Sequence, residues 1–244
     1  IGVIIGKIEL FTSRNIDAII TVTPYLANKF KRTKKTIILY NFPPYDLYAN
    51  KNYRNTHHFD IIHIGTLSPS RIEFFYQVAL ELKKQGYKFK WCILGIQSDI
   101  SNWAKKRLEQ NDLSEIKGNF IFVDYVDHTE VIKYIKKSRI GINYHPAEKR
   151  LMTAIPAKIF EYMACGLPVV CSDLITIRDL LKDKNCAILV KTNDINGFVD
   201  AIGYLLSNPD VAKRLGDNGK QTIEKDYNWS TQKRVLLSLY GDLL

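Results

Sequence analysis

The spacing of apolar residues switches repeatedly between a period of two and a period near 3.6, most regularly from residue 59 onward. The run 59–65 (FDIIHIG) predicts a buried strand. After the loop TLSPS, the run RIEFFYQVALELKKQ places Phe75, Val78, Ala79 and Leu82 on one helical face, with Gly86 as the stop. A strand over 88–95, a polar helix over 99–110, a strand over 119–126, a helix from His128 with Ile132 and Ile135 inward, and a strand over 139–145 follow. Beyond Asp173 the pattern gives a helix over 177–181, a strand over 186–191, a helix with Asp194 as N-cap, and final helices over 210–226 and 229–244. Strands separated by helices of this length predict right-handed crossovers and an α/β fold, a Rossmann-like doubly wound parallel sheet. Upstream, a strand at 17–23, a helix from Pro24 and a strand at 36–40 precede Pro43-Pro44 and YDLYANKNYRNTHH, which reads as the best linker in the chain.

The stretch 145–173 is the most informative. Ile155-Pro156-Ala157-Lys158 opens a helix, with Pro in a first turn where its missing N–H is no loss. Ile159, Phe160, Met163 and Ala164 form the apolar stripe, leaving Lys158, Glu161 and Tyr162 to face elsewhere. Gly166 suits the left-handed position ending the helix, and Pro168 prevents its resumption. Val169, Val170 and Cys171 then read as a strand covered on both faces. A cation in a first helical turn runs against the helix dipole unless an anion is expected there, and Lys158 holds that place. Glu161, one turn in, can accept hydrogen bonds from two sugar hydroxyls; the plain alternative is that both are solvated surface residues.

Hydrophobic residues at 46% and aromatics at 11% describe a folded globular chain, and no apolar run approaches the roughly 20 residues of a membrane span. IGVIIGKIELF lacks the cleavage site of a signal peptide, and a chain beginning without Met is expected to be a fragment. Cys92, Cys165, Cys171 and Cys186 show no metal-type spacing and read as reduced thiols of a cytoplasmic protein. A net charge of +10 and a pI near 9.3 call for an anionic partner. The clusters Lys29–Lys35 and Lys133–Arg139 carry no nucleic-acid motif, so phosphate-bearing substrates or an anionic membrane surface fit better, while scattered lysines also serve plain solubility.

PAKIFEYMACGLPVVCSD resembles the signature region of the retaining, nucleotide-sugar-dependent glycosyltransferases of family 4. That resemblance implies the C-terminal half of a GT-B fold: residues 1–45 as the tail of an N-terminal acceptor domain with its linker, 46–226 as the donor-binding domain, and 227–244 as a helix returning toward the N-terminal domain. The family writes two glutamates eight positions apart. The second matches Glu161, which would bind the donor ribose; the first falls on Thr153, a departure shared by a branch that writes Pro-x-Lys-x-Phe-Glu-Tyr-Met-Ala.

Four loops are then expected to form the donor site. Gly65 and Thr66 begin the first, where Thr66 replaces a family arginine and Arg71 stands in for the family lysine on the diphosphate. Gly95 marks the second. Tyr125 and Val126 match the segment bracketing the base, although Tyr125 takes the place of a glycine and serves equally well as a core aromatic. Thr153, Ala154, Ile155 and Lys158 complete the fourth. His145 invites a general-base role, but a His before Pro at a strand end is more often structural.

The resemblance implies a metal-independent enzyme with no cofactor, a UDP-sugar favoured over a GDP-sugar as donor, and a saccharide or lipid-linked saccharide as acceptor in surface polysaccharide synthesis. Its place would be the cytoplasm, at the inner face of the cell membrane. A nucleotide-sugar 2-epimerase and a non-catalytic nucleotide-binding module stand as alternatives. The epimerase would need carboxylates and a His facing the sugar; the module is favoured by Thr153.

Overall fold

After two strands laid outward on one side of the sheet, the chain crosses back and pairs its next strand against the first. That return defines the architecture of the computed structural model, which describes residues 2–49, 57–148 and 151–244. The elements in order are α1 (Gly2–Thr12), β1 (Ile19–Thr21), α2 (Pro24–Lys29), β2 (Thr36–Ile38), α3 (Tyr45–Ala49), β3 (Phe59–Ile64), α4 (Pro69–Lys84), β4 (Trp91–Leu94), α5 (Ser98–Arg107) and β5 (Phe120–Val123). They continue as α6 (His128–Lys136), β6 (Ser138–Asn143), α7 (Ala157–Ala164), β7 (Val169–Ser172), α8 (Ile175–Leu181), β8 (Ala187–Val190), α9 (Ile195–Ser207), α10 (Pro209–Lys225) and α11 (Trp229–Gly241). The main sheet has six parallel strands in the order β5-β4-β3-β6-β7-β8, and β1 and β2 form a separate parallel pair. The doubly wound class expected from the hydrophobic pattern is the one observed.

Alternation along β3 shows why the sheet needs cover on both faces. Ile61 belongs to one core with α4, α5 and α9, whereas Ile62 and Ile64 belong to the other with α6, α7 and α8. The strand Val169-Val170-Cys171 is fully buried, as its uninterrupted apolar run requires.

Three details of the sequence reading change. Tyr45–Ala49, expected within a linker, forms α3 and buries Tyr48, and the His58 N–H at the linker's far end already donates to the Lys137 carbonyl; residues 50–56 of that expected linker lie outside the described residues. Pro156 occupies the N-cap of α7 instead of the first turn, so the helix proper starts at Ala157. Tyr162 is fully buried instead of facing away from the core. Its ring crosses β6 where Gly141 leaves no side chain, and its hydroxyl accepts from the Ile64 N–H at 2.9 Å. That single hydroxyl ties α7 to the end of β3, a placement that the helical stripe alone does not reveal. Gly166 fulfils its expected role: at φ +78° it ends α7, with Leu167 N–H reaching back to the Tyr162 carbonyl.

The last helix packs on residues 35–43. Tyr40 N–H donates to Gln232 Oε1 at 2.8 Å, Trp229 N–H donates to the Pro43 carbonyl, and Lys35 pairs with Asp242. Leu239 is buried there, while Leu237 and Tyr240 stay exposed.

A Cβ at Gly141 would meet the Tyr162 ring at 2.5 Å. Gly141→Ala should therefore lower unfolding stability by about 2 kcal/mol in denaturant titration. An unchanged midpoint would mean that Tyr162 is not pinned across β6.

Candidate functional site

The crossover leaves β3 and β6 adjacent but running on to helices on opposite faces, so a crevice opens beyond their carboxyl ends. One cation enters from each face. Arg71 comes from the first turn of α4, and Lys158 from the first turn of α7.

Arg71 is aimed by a rigid support. The Tyr144 ring stacks on Phe74 at 3.7 Å, and the Tyr144 hydroxyl donates to Asn193 Oδ1 at 2.6 Å, fixing the chain just past β6. Arg71 Nη2 then donates to the Tyr144 carbonyl at 2.7 Å and to His145 Nδ1 at 2.6 Å. Its Nε is buried without a partner among the described residues. His145 is held in turn by Ser172, whose hydroxyl accepts from the His145 N–H at 2.9 Å and donates to its carbonyl at 3.0 Å. Burial, then Arg71 and Lys158, push the His145 imidazole down to about 3, so it is a neutral acceptor for Arg71. A proton-accepting role would compete with that bond; the geometry supports the structural reading of His145.

Lys158 lies deeper. Its Nζ is 3.1 Å from His63 Nε2, and His63 Nδ1 is 3.2 Å from the Ile142 carbonyl. Burial, reinforced by Arg71 and opposed by Glu161, pushes the Lys158 ammonium down to about 7. Gly65 lies directly beside it. At φ +86° this residue favours glycine, and a Cβ there would stand 3.3 Å from Lys158 Nζ. Gly95, at φ +81°, packs against the Gly65 backbone, so the ends of β3 and β4 turn away together and expose main chain to the crevice.

Glu161 sits one turn further along α7, half-buried against α3 and α6. Burial raises its carboxyl above the usual range, with His128, Lys158 and the Tyr48 hydroxyl acting against that rise. The Tyr48 hydroxyl also meets His128 Nε2 at 2.9 Å.

Of the expected site residues, Gly65, Gly95, Arg71 and Lys158 converge, with Glu161 adjacent. Thr66 is exposed at the crevice rim. Thr153, Ala154 and Ile155 are half-buried in a loop fastened by Thr176 Oγ1 to the Ala154 carbonyl at 2.5 Å. Tyr125 is not a core aromatic: it is 83% exposed, and it and half-buried Val126 stand beyond β5, two strands from β3, about 10 Å at the usual strand spacing. Four residues escaped the sequence reading: His63, Tyr48, His128 and Asn143. Asn143 is fully buried at the end of β6, and neither of its amide atoms has a partner among the described residues. His63 had a visible signal, a lone imidazole in an apolar strand two residues before Gly65; Tyr48 and His128 had none.

Residues 46–222 match the family model described as glycosyl transferases group 1. The chain belongs to the group 1 glycosyltransferases. An uncharacterized glycosyltransferase of Methanocaldococcus jannaschii is 24% identical over 237 residues, covering 96% of this chain but 62% of that relative. The chain thus spans about three-fifths of that relative's length. A phosphatidyl-myo-inositol mannosyltransferase of Mycobacterium leprae is 33% identical over 82 residues, 34% of this chain and 22% of that protein. Among solved structures, a variant of S. aureus TarM in complex with fondaparinux, alpha-GlcNAc-glycerol and UDP superposes with a TM-score of 0.75 at 19% identity, over 93% of this chain and 44% of that one. Anabaena HepE in complex with UDP-glucose also gives 0.75, at 12% identity, over 97% of this chain and 67% of that one. Both likenesses speak to the fold, and they agree with the GT-B expectation.

The state of Lys158 is testable without any ligand. Its folded pKa lies near 7 and its unfolded value near 10.5, so between these the unfolded chain holds the extra proton and stability rises with pH. Relative to Lys158→Met, the wild type should gain up to about 1.4 kcal/mol per pH unit through that window. A flat difference would place the ammonium in solvent.

Proposed function

We propose that this chain supplies the donor site of a retaining, metal-independent glycosyltransferase that moves a sugar from a nucleotide-sugar to a saccharide or lipid-linked acceptor. The observation that carries this reading is the meeting of Arg71 and Lys158 at the crossover crevice, both anchored to neutral acceptors and both free to give further hydrogen bonds. A diphosphate laid there would take the unpartnered Arg71 edge, the Lys158 ammonium and the exposed backbone of the Gly65 turn. Glu161 would accept from the ribose hydroxyls, and Tyr125 and Val126 would border the base at the far end of the sheet edge.

Chemistry in this arrangement is positioning and charge stabilisation. As the bond from the sugar to the diphosphate lengthens, negative charge grows on the leaving oxygen, and Lys158 and Arg71 would stabilise it there. These two cations would supply the charge that a divalent ion supplies elsewhere, and the nucleotide-sugar is substrate, so no cofactor is called for. Thr153 holds the position of the family's first glutamate and would set which sugar is accepted. UDP is favoured as the leaving nucleotide by the UDP complexes of TarM and HepE.

Residues 46–226 would form the donor domain, 1–45 the tail of an acceptor domain, and 227–244 the helix that joins them, as the contacts of α11 with residues 35–43 support. No described helix is long and apolar enough to cross a membrane. A cytoplasmic enzyme reaching a lipid-linked acceptor at the inner membrane face would use its basic surface, although Lys29, Lys34, Lys35 and Lys133 are already paired with acids.

Calorimetric titration with UDP and GDP tests the site. Arg71→Ala combined with Lys158→Ala should weaken binding of the preferred nucleotide by more than about tenfold. Glu161→Ala should weaken nucleotide binding while leaving inorganic pyrophosphate unaffected. Undiminished nucleotide affinity in the double variant would remove the diphosphate assignment.

A further inference from the structure

His63 is fully buried on β3 and makes no use of its chemistry in the fold beyond two polar contacts. Those contacts fix its state. The Ile142 carbonyl can only accept, so Nδ1 carries the hydrogen; the Lys158 ammonium can only donate, so Nε2 presents its lone pair. Phe75 packs against the ring at 5.3 Å between centroids and leaves it no room to turn away. Resting on the donor-site reading above, we propose that His63 is a positioning residue for the transfer, a neutral imidazole that holds the Lys158 ammonium beneath the Gly65 turn where the diphosphate lies.

The choice of side chain has a physical reason. A carboxylate at position 63 would hold Lys158 more tightly but would cancel its charge, leaving nothing for the diphosphate. Neutral imidazole supplies direction without neutralising charge. The groups facing Lys158 are His63 from β3, Arg71 from α4, His145 beyond β6 and Glu161 from α7 itself. The first three leave its charge uncompensated, and burial with Arg71 outweighs Glu161, consistent with the lowered affinity of Lys158 for its proton. A bound diphosphate would reverse that, so nucleotide binding near pH 7 should take up a proton.

His63→Leu removes the acceptor, and His63→Gln restores one, since a glutamine oxygen reaches the place of Nε2. With UDP and GDP as probes, His63→Leu should weaken binding of the preferred nucleotide about tenfold, His63→Gln should recover most of it, and His63→Leu should have no further effect in a Lys158→Met background. A loss that persists undiminished in that background would overturn the proposal, because packing would then explain it. The lysine 13Cε resonances give a test that needs no nucleotide. Lys158 should titrate roughly one pH unit lower in His63→Leu than in wild type; an unmoved titration overturns the hold on Lys158. Failure of both nucleotides to bind wild type would sink the donor-site reading while this resonance still decides whether His63 holds Lys158. Should His63→Leu not fold, the 15Nε2 resonance of His63 should follow the Lys158 titration in wild type and stay flat in Lys158→Met, and a flat wild-type response overturns the proposal.

Discussion

Keeping two half-buried cations at one crevice without a carboxylate to cancel them is the constraint to which the rest of this structure answers. Arg71 and Lys158 both lose hydration on folding, and Arg71 is close enough to help push Lys158 down to about 7. An isolated charge so placed would shed its proton or escape to water. What holds them is a set of neutral acceptors: the Tyr144 carbonyl and His145 for Arg71, and His63 for Lys158. Each acceptor is itself pinned, by the Phe74 stack, by Ser172 and by the Ile142 carbonyl respectively. The electrostatic tension that remains favours whatever anion enters.

Topology makes this pairing available. Because β6 returns beside β3, helices α4 and α7 start on opposite faces of the sheet and deliver their first turns to the same crevice. Tyr162 sets how far α7 may slide: its ring fills the space over Gly141, and its hydroxyl meets the Ile64 N–H one residue before the Gly65 turn. The residue that fixes helix position, Tyr162, and the crevice cation Lys158 are thus four places apart on one helix.

Much of the fold was legible because the signals were local and strong. Gly86 and Gly166 end their helices at positive φ, Asp194 caps α9, and the uninterrupted run at 169–171 is the buried strand it resembles. Arg71 and Lys158 were legible as cations in helical first turns at the right sheet edge, and Glu161 as a carboxylate one turn further along. What the sequence hid was which side chains meet across distant segments. Helical periodicity placed Tyr162 outward because a side chain anchored over a neighbouring glycine has no signature in its own helix. Tyr48 lay in a stretch with linker composition, and its value comes from meeting His128, eighty residues later. The plain surface reading of Lys158 fails for the same reason, since burial of a helix start depends on which strands lie beneath it.

Glu161 shows how the site separates its two tasks. The carboxylate shares α7 with Lys158 yet is turned toward Tyr48 and His128, so it offsets only part of the lysine's positive field. Burial raises its carboxyl, and the Tyr48 hydroxyl and His128 act to keep it ionised. A carboxylate in a half-buried place is a strong acceptor for hydroxyl groups, and a poor neighbour for phosphate. Turning it one helical step away from Lys158 sets a cation and a carboxylate side by side along a single helix, facing different ways. An extended ligand with a diphosphate followed by a sugar ring meets that order of charges, and the reverse order would set like charges against one another.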